Sequence, residues 1–337
     1  MNVLQVKEYD DIFKQNLTRK KTLAVDKAGN IFFLENGLLH RDDGPAVYIR
    51  KVFGKSITNM MSKYFREGEF YYFFNKKEYE IILKGSEIWF HRGVPHREGA
   101  PAITSKNGCV WFNNGMILGR GKKPSVCYKN LKLWFNNEGQ LHRDKKPAYI
   151  SEECLRWFQD GKEHRDDDKP ARIYKDGGKF WFKNGKIHRD NKPAYMIGDE
   201  KNWYQNGELH RDDGPAIEDN EGKQWWVNGL LHRLDGPAVV WSDGSEEWWV
   251  NDEIHRLDGP AKIFINDFGI TNCYYINNIE HDKETWEKIT SLINKHENKI
   301  VNKYARVWYE KCDYPGTKIW ENNIKKGWES IEKLIKE

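Results

Sequence analysis

The sequence predicts a mainly β protein: an elongated single-layer or solenoidal array of about ten to eleven β-hairpin repeats, closed by a C-terminal α-helical cap. Three observations predict it. The pattern W-[WFY]-x-N-G-x-x-H-R-x-D-G-P-A, clearest from Trp225 to Ala238, returns intact or worn along most of the 337 residues. The proline of its Pro-Ala step (once Pro-Ser) keeps a period of 22–23: Pro101, Pro124, Pro147, Pro170, Pro193, Pro215, Pro237 and Pro260. The composition is 14% aromatic, with 15 Trp, against 38% hydrophobic residues in all. Such a chain buries area through aromatic rings, each unit against its neighbours, and not in one large core.

Residues 1–29 fall outside the repeat. There Val6, Tyr9, Ile12, Phe13 and Leu17 lie near helical spacing, which predicts a short amphipathic helix capping the first open strand edge. The array occupies 30–282. Its first copy begins at Phe33 and carries Pro45; the 56 residues from Pro45 to Pro101 hold an insertion near 50–68 and an eroded copy. In that copy Tyr72 and Phe73 take the aromatic slots and Tyr79 the His slot, while a last eroded copy places Tyr274, Tyr275 and His281 in register. Each unit reads as two short strands and two turns. Glu246 to Asn251 is one strand, Ala238 to Ser242 the other, and Asp243-Gly244 closes the unit. Asn184-Gly185, Asn206-Gly207 and Asn228-Gly229 supply the left-handed conformations of a tight hairpin turn. Residues 283–337 turn helical in pattern, with Trp320, Ile324, Trp328, Ile331 and Ile335 on one stripe and Pro315-Gly316 between two helices. A cap on the last strand is expected, a partner-docking helix being the alternative.

Adjacent strand residues face opposite sides, so the two aromatic slots should split between faces. The first slot is Trp in eight copies: Trp89, Trp111, Trp134, Trp157, Trp181, Trp203, Trp225 and Trp248. This constancy marks it as the packed slot. Trp181, Trp203, Trp225 and Trp248 therefore form the structural core with His188, His210, His232 and His255, and with Pro193, Pro215, Pro237 and Pro260. The second slot drifts (Phe182, Tyr204, Trp226, Trp249) and is expected to face a groove or solvent. With Arg189, Arg211, Arg233 and Arg256 it is the candidate partner-binding surface, since aromatic residues and Arg dominate binding hot spots.

The period, the hairpin-sized units and the aromatic-then-NG-x-x-H pattern resemble MORN repeats. The likeness is greatest to the HR-x-DGPA variant that recurs in proteins of large phages and giant viruses. It covers roughly residues 30 to 282, with matching segments at 36–46, 160–171, 184–194, 206–216, 228–238 and 251–261. The His-Arg-x-Asp element replaces the second glycine-rich element of ordinary MORN repeats, so the lipid binding suggested for some of them carries over weakly. The resemblance implies a β-array that serves as a scaffold or binding module, and no reaction.

The repeated His-Arg-x-Asp invites a reading as chemistry, and geometry opposes it. Two strands per repeat set successive histidines about 10 Å apart, too far to share an ion with bonds of about 2 Å. Catalysis needs one unique constellation, whereas this one recurs. No catalytic residue, metal ligand or cofactor is assigned. The expected task is a turn in which His and Asp bond the backbone and Arg pairs with the Asp two positions on or with the next repeat. Gly119 to Ser125 (GRGKKPS), where Leu118-Gly119 breaks the His slot, reads as an eroded copy and not as an anion site.

The five cysteines, Cys109, Cys127, Cys154, Cys273 and Cys312, show no C-x-x-C spacing and read as reduced thiols. With no signal-like or 18-residue apolar run, a cytoplasmic protein is expected, in a host cytoplasm or virion if viral, without a transmembrane segment or peripheral membrane contact. The 55 basic and 51 acidic residues leave a net charge of only +4, which disfavours nucleic acid. The expected function is non-enzymatic protein binding or scaffolding. Single-stranded nucleic-acid binding along the aromatic and Arg rows is the alternative, and a small effector activity in the C-terminal helical region a second one.

Overall fold

The tryptophan of each repeat marks the point where the chain changes ladder. In the computed structural model, which describes residues 2–6, 21–51 and 83–295, the unit around Trp248 contains four short strands. Val239–Trp241 pairs with Glu246–Glu247 in the main sheet, and Trp249–Val250 pairs with Glu253–Ile254 in a separate hairpin. Trp248 lies between. Its N–H donates to Ala261 C=O and its C=O accepts from His255 N–H, so its own backbone joins the two ladders. The single strand expected from Glu246 to Asn251 is therefore broken, and the two-stranded unit is corrected to a four-stranded one. A Trp held on both sides cannot continue the strand before it.

The chain forms two compact units, Met1–Lys186 and Ile187–Glu337. In the first, Asn2–Val6 pairs in parallel with Lys21–Asp26, which pairs antiparallel with Ile31–Glu35. The sheet continues through Val47–Tyr48, Glu87–Ile88, Ile103–Ser105 and Gly108–Val110. From Val126–Tyr128 it runs on to Lys179–Phe180 by antiparallel pairs. Val6, expected to open a helix, ends a strand instead; the rest of that helix, the eroded copy at Tyr72, Phe73 and Tyr79, nearly all of the insertion and the stripe from Trp320 to Ile335 lie outside the described residues. In the second unit the same meander runs from Tyr195–Ile197 to Glu218 and from Gly222–Gln224 to Gly269–Ile276. A helix, Lys283–Lys295, follows. Asp282 caps it by accepting the Thr285 N–H at 2.9 Å. Trp286 packs against Tyr274 and donates its indole N–H to Arg256 C=O.

The hairpin turns carry two left-handed residues in succession, such as Asn228 (φ 49°) and Gly229 (φ 80°), or Asn251 (φ 52°) and Asp252 (φ 64°). That is the primed turn whose twist suits a two-residue hairpin, as the Asn-Gly pairs predicted.

The first unit has a contiguous apolar core to which Phe32, Phe90, Phe112, Phe135 and Phe158 belong. Phe90, Phe112, Phe135 and Phe158 fill the second aromatic slot and are buried. The expectation that this slot faces groove or solvent is thus wrong for these copies: the satellite hairpin turns the slot inward. The alanine after each proline belongs to the core as well. Ala46, Ala102, Ala148, Ala171, Ala194, Ala216, Ala238 and Ala261 are fully buried, as is Ser125 in the one Pro-Ser copy; only a small side chain stands where the C=O accepts the N–H of the copy's own Trp, as Ala238 does for Trp225 and Ser125 for Trp111.

Candidate functional site

The repeated residues build a lock, assembled from the arginine outward. Arg233 lays its guanidinium over the Trp225 ring at 4.0 Å from the centroid. Its Nη1 donates to Pro237 C=O at 3.1 Å and its Nε to Asp235 at 2.8 Å. Arg97, Arg120, Arg143, Arg165, Arg211 and Arg256 stack on their tryptophans at 3.5–4.0 Å, and Arg41 covers Phe33 at 4.3 Å. The bond to the proline carbonyl recurs in Arg120, Arg143, Arg165, Arg189, Arg211 and Arg256. Each stack contributes on the order of 0.5–2 kcal/mol. A Cβ at Gly236 would stand 3.0 Å from Arg233 Cζ, a tight contact; copies with Ala100, Lys123, Lys146 or Lys169 before the proline keep the stack nonetheless. Even the copy where Leu118 replaces His keeps the lock, since Arg120 stacks on Trp111 and Leu118 N–H donates to Trp111 C=O.

The histidines join one copy to the next. His210 Nδ1 accepts the N–H of Asn228, the first residue of the following hairpin turn, at 3.2 Å. His40, His96, His142, His164, His188, His232 and His255 accept in the same way. An accepting Nδ1 leaves the proton on Nε2, which faces Asp42, Asp144, Asp166, Asp190 and Asp212 in the His-Arg-Asp copies. His232 and His255 have Leu234 and Leu257 there, and burial pushes both imidazoles below the ordinary value against the bonds to Asn251 and Asn277. The Asp213 and Asp235 carboxyls are held low first by their hydrogen bonds to Arg211 and Arg233.

The proposed partner-binding arginines Arg211, Arg233 and Arg256 are thus each stacked and bonded within their own copy. Of the second-slot residues, Phe182, Tyr204, Trp226 and Trp249 are half-buried. Trp226 and Trp249 donate their indole N–H groups to Gln224 and Glu247. Burial raises the Tyr204 phenol.

Sequence reasoning missed three local arrangements. Cys109 and Cys127 sit directly opposite one another in paired strands. Glu163 is buried between Arg156 and Arg172, an internal ion pair. The third is the most exposed apolar feature among the described residues, the hairpin of Lys262–Asn266 and Gly269–Ile276. Phe268 at its tip is fully exposed, Ile270 68% exposed, and Phe264 and Ile265 partly so. Lys262 Nζ lies 5.4 Å from the Trp249 ring and 5.8 Å from the Phe264 ring, which connects this tip to the second-slot column. Ile263 to Ile265 is β-branched and aromatic, but nothing in that pattern shows that the strand outruns its neighbour Glu246–Glu247.

Comparisons with protein-family models, with curated proteins and with solved structures gave no match. No helix among the described residues is long and apolar enough to cross a membrane.

Proposed function

We propose that the protein is a non-enzymatic binding or scaffolding module built from MORN-like repeats, and that it engages a partner protein through the hairpin tip at Phe268. One observation carries this reading: Phe264, Ile265, Phe268 and Ile270 stand exposed together on a hairpin that extends past the neighbouring strand. A cluster of large apolar side chains on a protruding tip is costly in water and gains affinity by filling an apolar pocket. Trp249, linked to Phe264 through Lys262, is a secondary contact. The residues that recur in every copy are occupied in holding the copies together, which is the reason to assign them no catalysis. A single strand of nucleic acid tracking the arginines finds little support, because those guanidinium groups are covered by tryptophan and bonded to Asp and Pro.

The test compares the intact protein with a Phe268→Ser, Ile270→Ser variant as bait, then repeats the binding with the purified partner. The variant should unfold at the same urea concentration as the intact chain, since both side chains are exposed and such surface changes cost within about 0.5 kcal/mol. Affinity should fall at least about tenfold, the loss of one hot spot. A partner held equally by both proteins removes the tip from the reading. Nucleic acid retained and released by salt supports the alternative instead.

A further inference from the structure

We propose that His40, Asp42 and His91 form a binding site for one borderline divalent cation of the Zn²⁺, Co²⁺ or Ni²⁺ kind, with the Glu35 carboxylate beside it. The repeat has one irregularity here. The position two after the first-slot aromatic is Asn113, Asn136, Gln159, Lys183, Gln205, Val227 and Val250 in successive copies; in the copy of Trp89 it is His91. That single exchange puts a second imidazole beside the His-Asp pair of the preceding copy. The His40 and His91 rings stand edge to face with centroids 4.9 Å apart. One ligand atom each from His40, Asp42 and His91 falls within 4.8 Å of the others. His40 Nε2 is 3.0 Å from Asp42 Oδ1 and 3.4 Å from Glu35 Oε2. A cleft of about 350 Å³ lined by Glu35, His40 and Asp42 opens at the same place, so an ion can reach it.

Donors held tetrahedrally by one ion at about 2.0–2.2 Å lie about 3.3–3.6 Å apart. Side-chain rotations that move the ligand atoms by about an ångström, open to these partly exposed groups, close the set. Two imidazoles with one carboxylate favour Zn²⁺-like ions over Mg²⁺ or Ca²⁺, which take oxygen donors. Successive histidines of the column still share no ion here; His91 lies outside the column, which is how the spacing argument is evaded. Coordination through His40 Nε2 moves the ring proton to Nδ1, and the 3.2 Å contact from Arg92 N–H is then lost. The site spans two copies whose ligands are 51 positions apart in sequence, so an ion staples them and raises stability in proportion to its occupancy.

The full-length protein would be titrated with Zn²⁺ by calorimetry and with Co²⁺ by visible absorption. His91→Asn, Asp42→Asn and, as a matched control, Asp190→Asn would be run beside it. Asn is the residue that Asn113 and Asn136 place at the His91 position, so His91→Asn preserves the repeat; circular dichroism and Tm verify each variant. Expected are one equivalent of metal, a Tm that rises with it, and a Co²⁺ spectrum. Binding should weaken at least about tenfold in His91→Asn and Asp42→Asn and stay unchanged in Asp190→Asn. Three outcomes overturn the proposal: no binding at submillimolar metal, binding untouched by His91→Asn, or several equivalents lost equally in the Asp190→Asn control.

Discussion

The two units are built from the same lock and filled differently. In the first, Phe90, Phe112, Phe135 and Phe158 enter one contiguous core with Phe32, Leu34, Ile88, Ile103 and Leu133. In the second, the buried cluster among the described residues is Ile276, Trp286, Ile289 and Ile293 beside the C-terminal helix, while Tyr204, Trp226 and Trp249 remain half-buried and bear polar partners. The comparison separates what the motif does from what it permits. The Trp-Arg-His-Asp-Pro set fixes the backbone path of a copy. Whether its second aromatic becomes core is decided by the residue in that slot and by what packs over it. Phenylalanine, with no polar atom, can be enclosed fully; Tyr and Trp keep one end near a polar partner.

The largest expected effect follows from that contrast. Phe112→Ala should cost about 3–5 kcal/mol, the range for emptying a packed aromatic site, because Phe112 is fully buried. Trp226→Ala should cost about 1–2 kcal/mol, since only part of its area leaves water. Urea unfolding of the two variants measures this. Equal losses would mean that the half-buried column is as much a core as the Phe column, and the comparison would fail.

The lock should matter most where the core is thin. Arg233→Met keeps a stem over Trp225 and removes the bonds to Asp235 and Pro237; a loss of about 1–2 kcal/mol is expected. Gly236→Ala drives a methyl against the same guanidinium and should cost at most about 1 kcal/mol, since Ala100 holds that position beside the stacked Arg97. The two act on one contact, so in the double variant the glycine's cost should nearly vanish. Strict additivity of the two in thermal unfolding would show that the glycine serves its own backbone and not the arginine.

Much of this was legible because the motif is periodic. The copies, the Asn-Gly turns and the helix after Asp282 follow from spacing and turn chemistry alone. The Arg-Asp pairing was legible as well, since Arg233 and Asp235 are two residues apart. Three things were not. Arg stacking on Trp joins residues eight or nine apart through a hairpin, and no local period reports it. The break at Trp248 leaves no mark, because Glu246 to Val250 is strand-like throughout, and the break is made by Ala261 and His255 further along the chain. The alanine column was hidden by its small size: a residue that contributes little area gives little hydropathic signal, yet this fully buried position holds only Ala or, once, Ser. His91 was overlooked for the opposite reason, as an exception inside a repeat in which attention falls on what recurs.

The smallest expected effect concerns pH, and it compares copies within the second unit. His210 faces Asp212, whereas His232 and His255 have Leu at that position. Burial holds these two imidazoles below the ordinary value of 6.5, ahead of the opposing bonds to Asn251 and Asn277. The sign follows from linkage. A histidine with a folded-state pKa below its unfolded one takes up its proton more readily when unfolded, so its contribution is complete above pH 6.5 and is lost as pH falls through 6.5 toward the lower folded value. Protonation also turns Nδ1 from accepting the Asn251 N–H to donating to the Asn251 side-chain oxygen 2.8 Å away, which offsets part of the burial cost. Leu234→Asp should weaken this acid sensitivity, because it offers the His232 imidazolium the carboxylate that His210 already has, and Leu234 is exposed enough to be replaced. Thermal unfolding of the intact chain and of Leu234→Asp between about pH 7 and pH 5 tests it. A slope unchanged by the aspartate would place the acid-labile step outside the Leu copies, and the difference between His-Arg-Leu and His-Arg-Asp repeats would then be one of sequence alone.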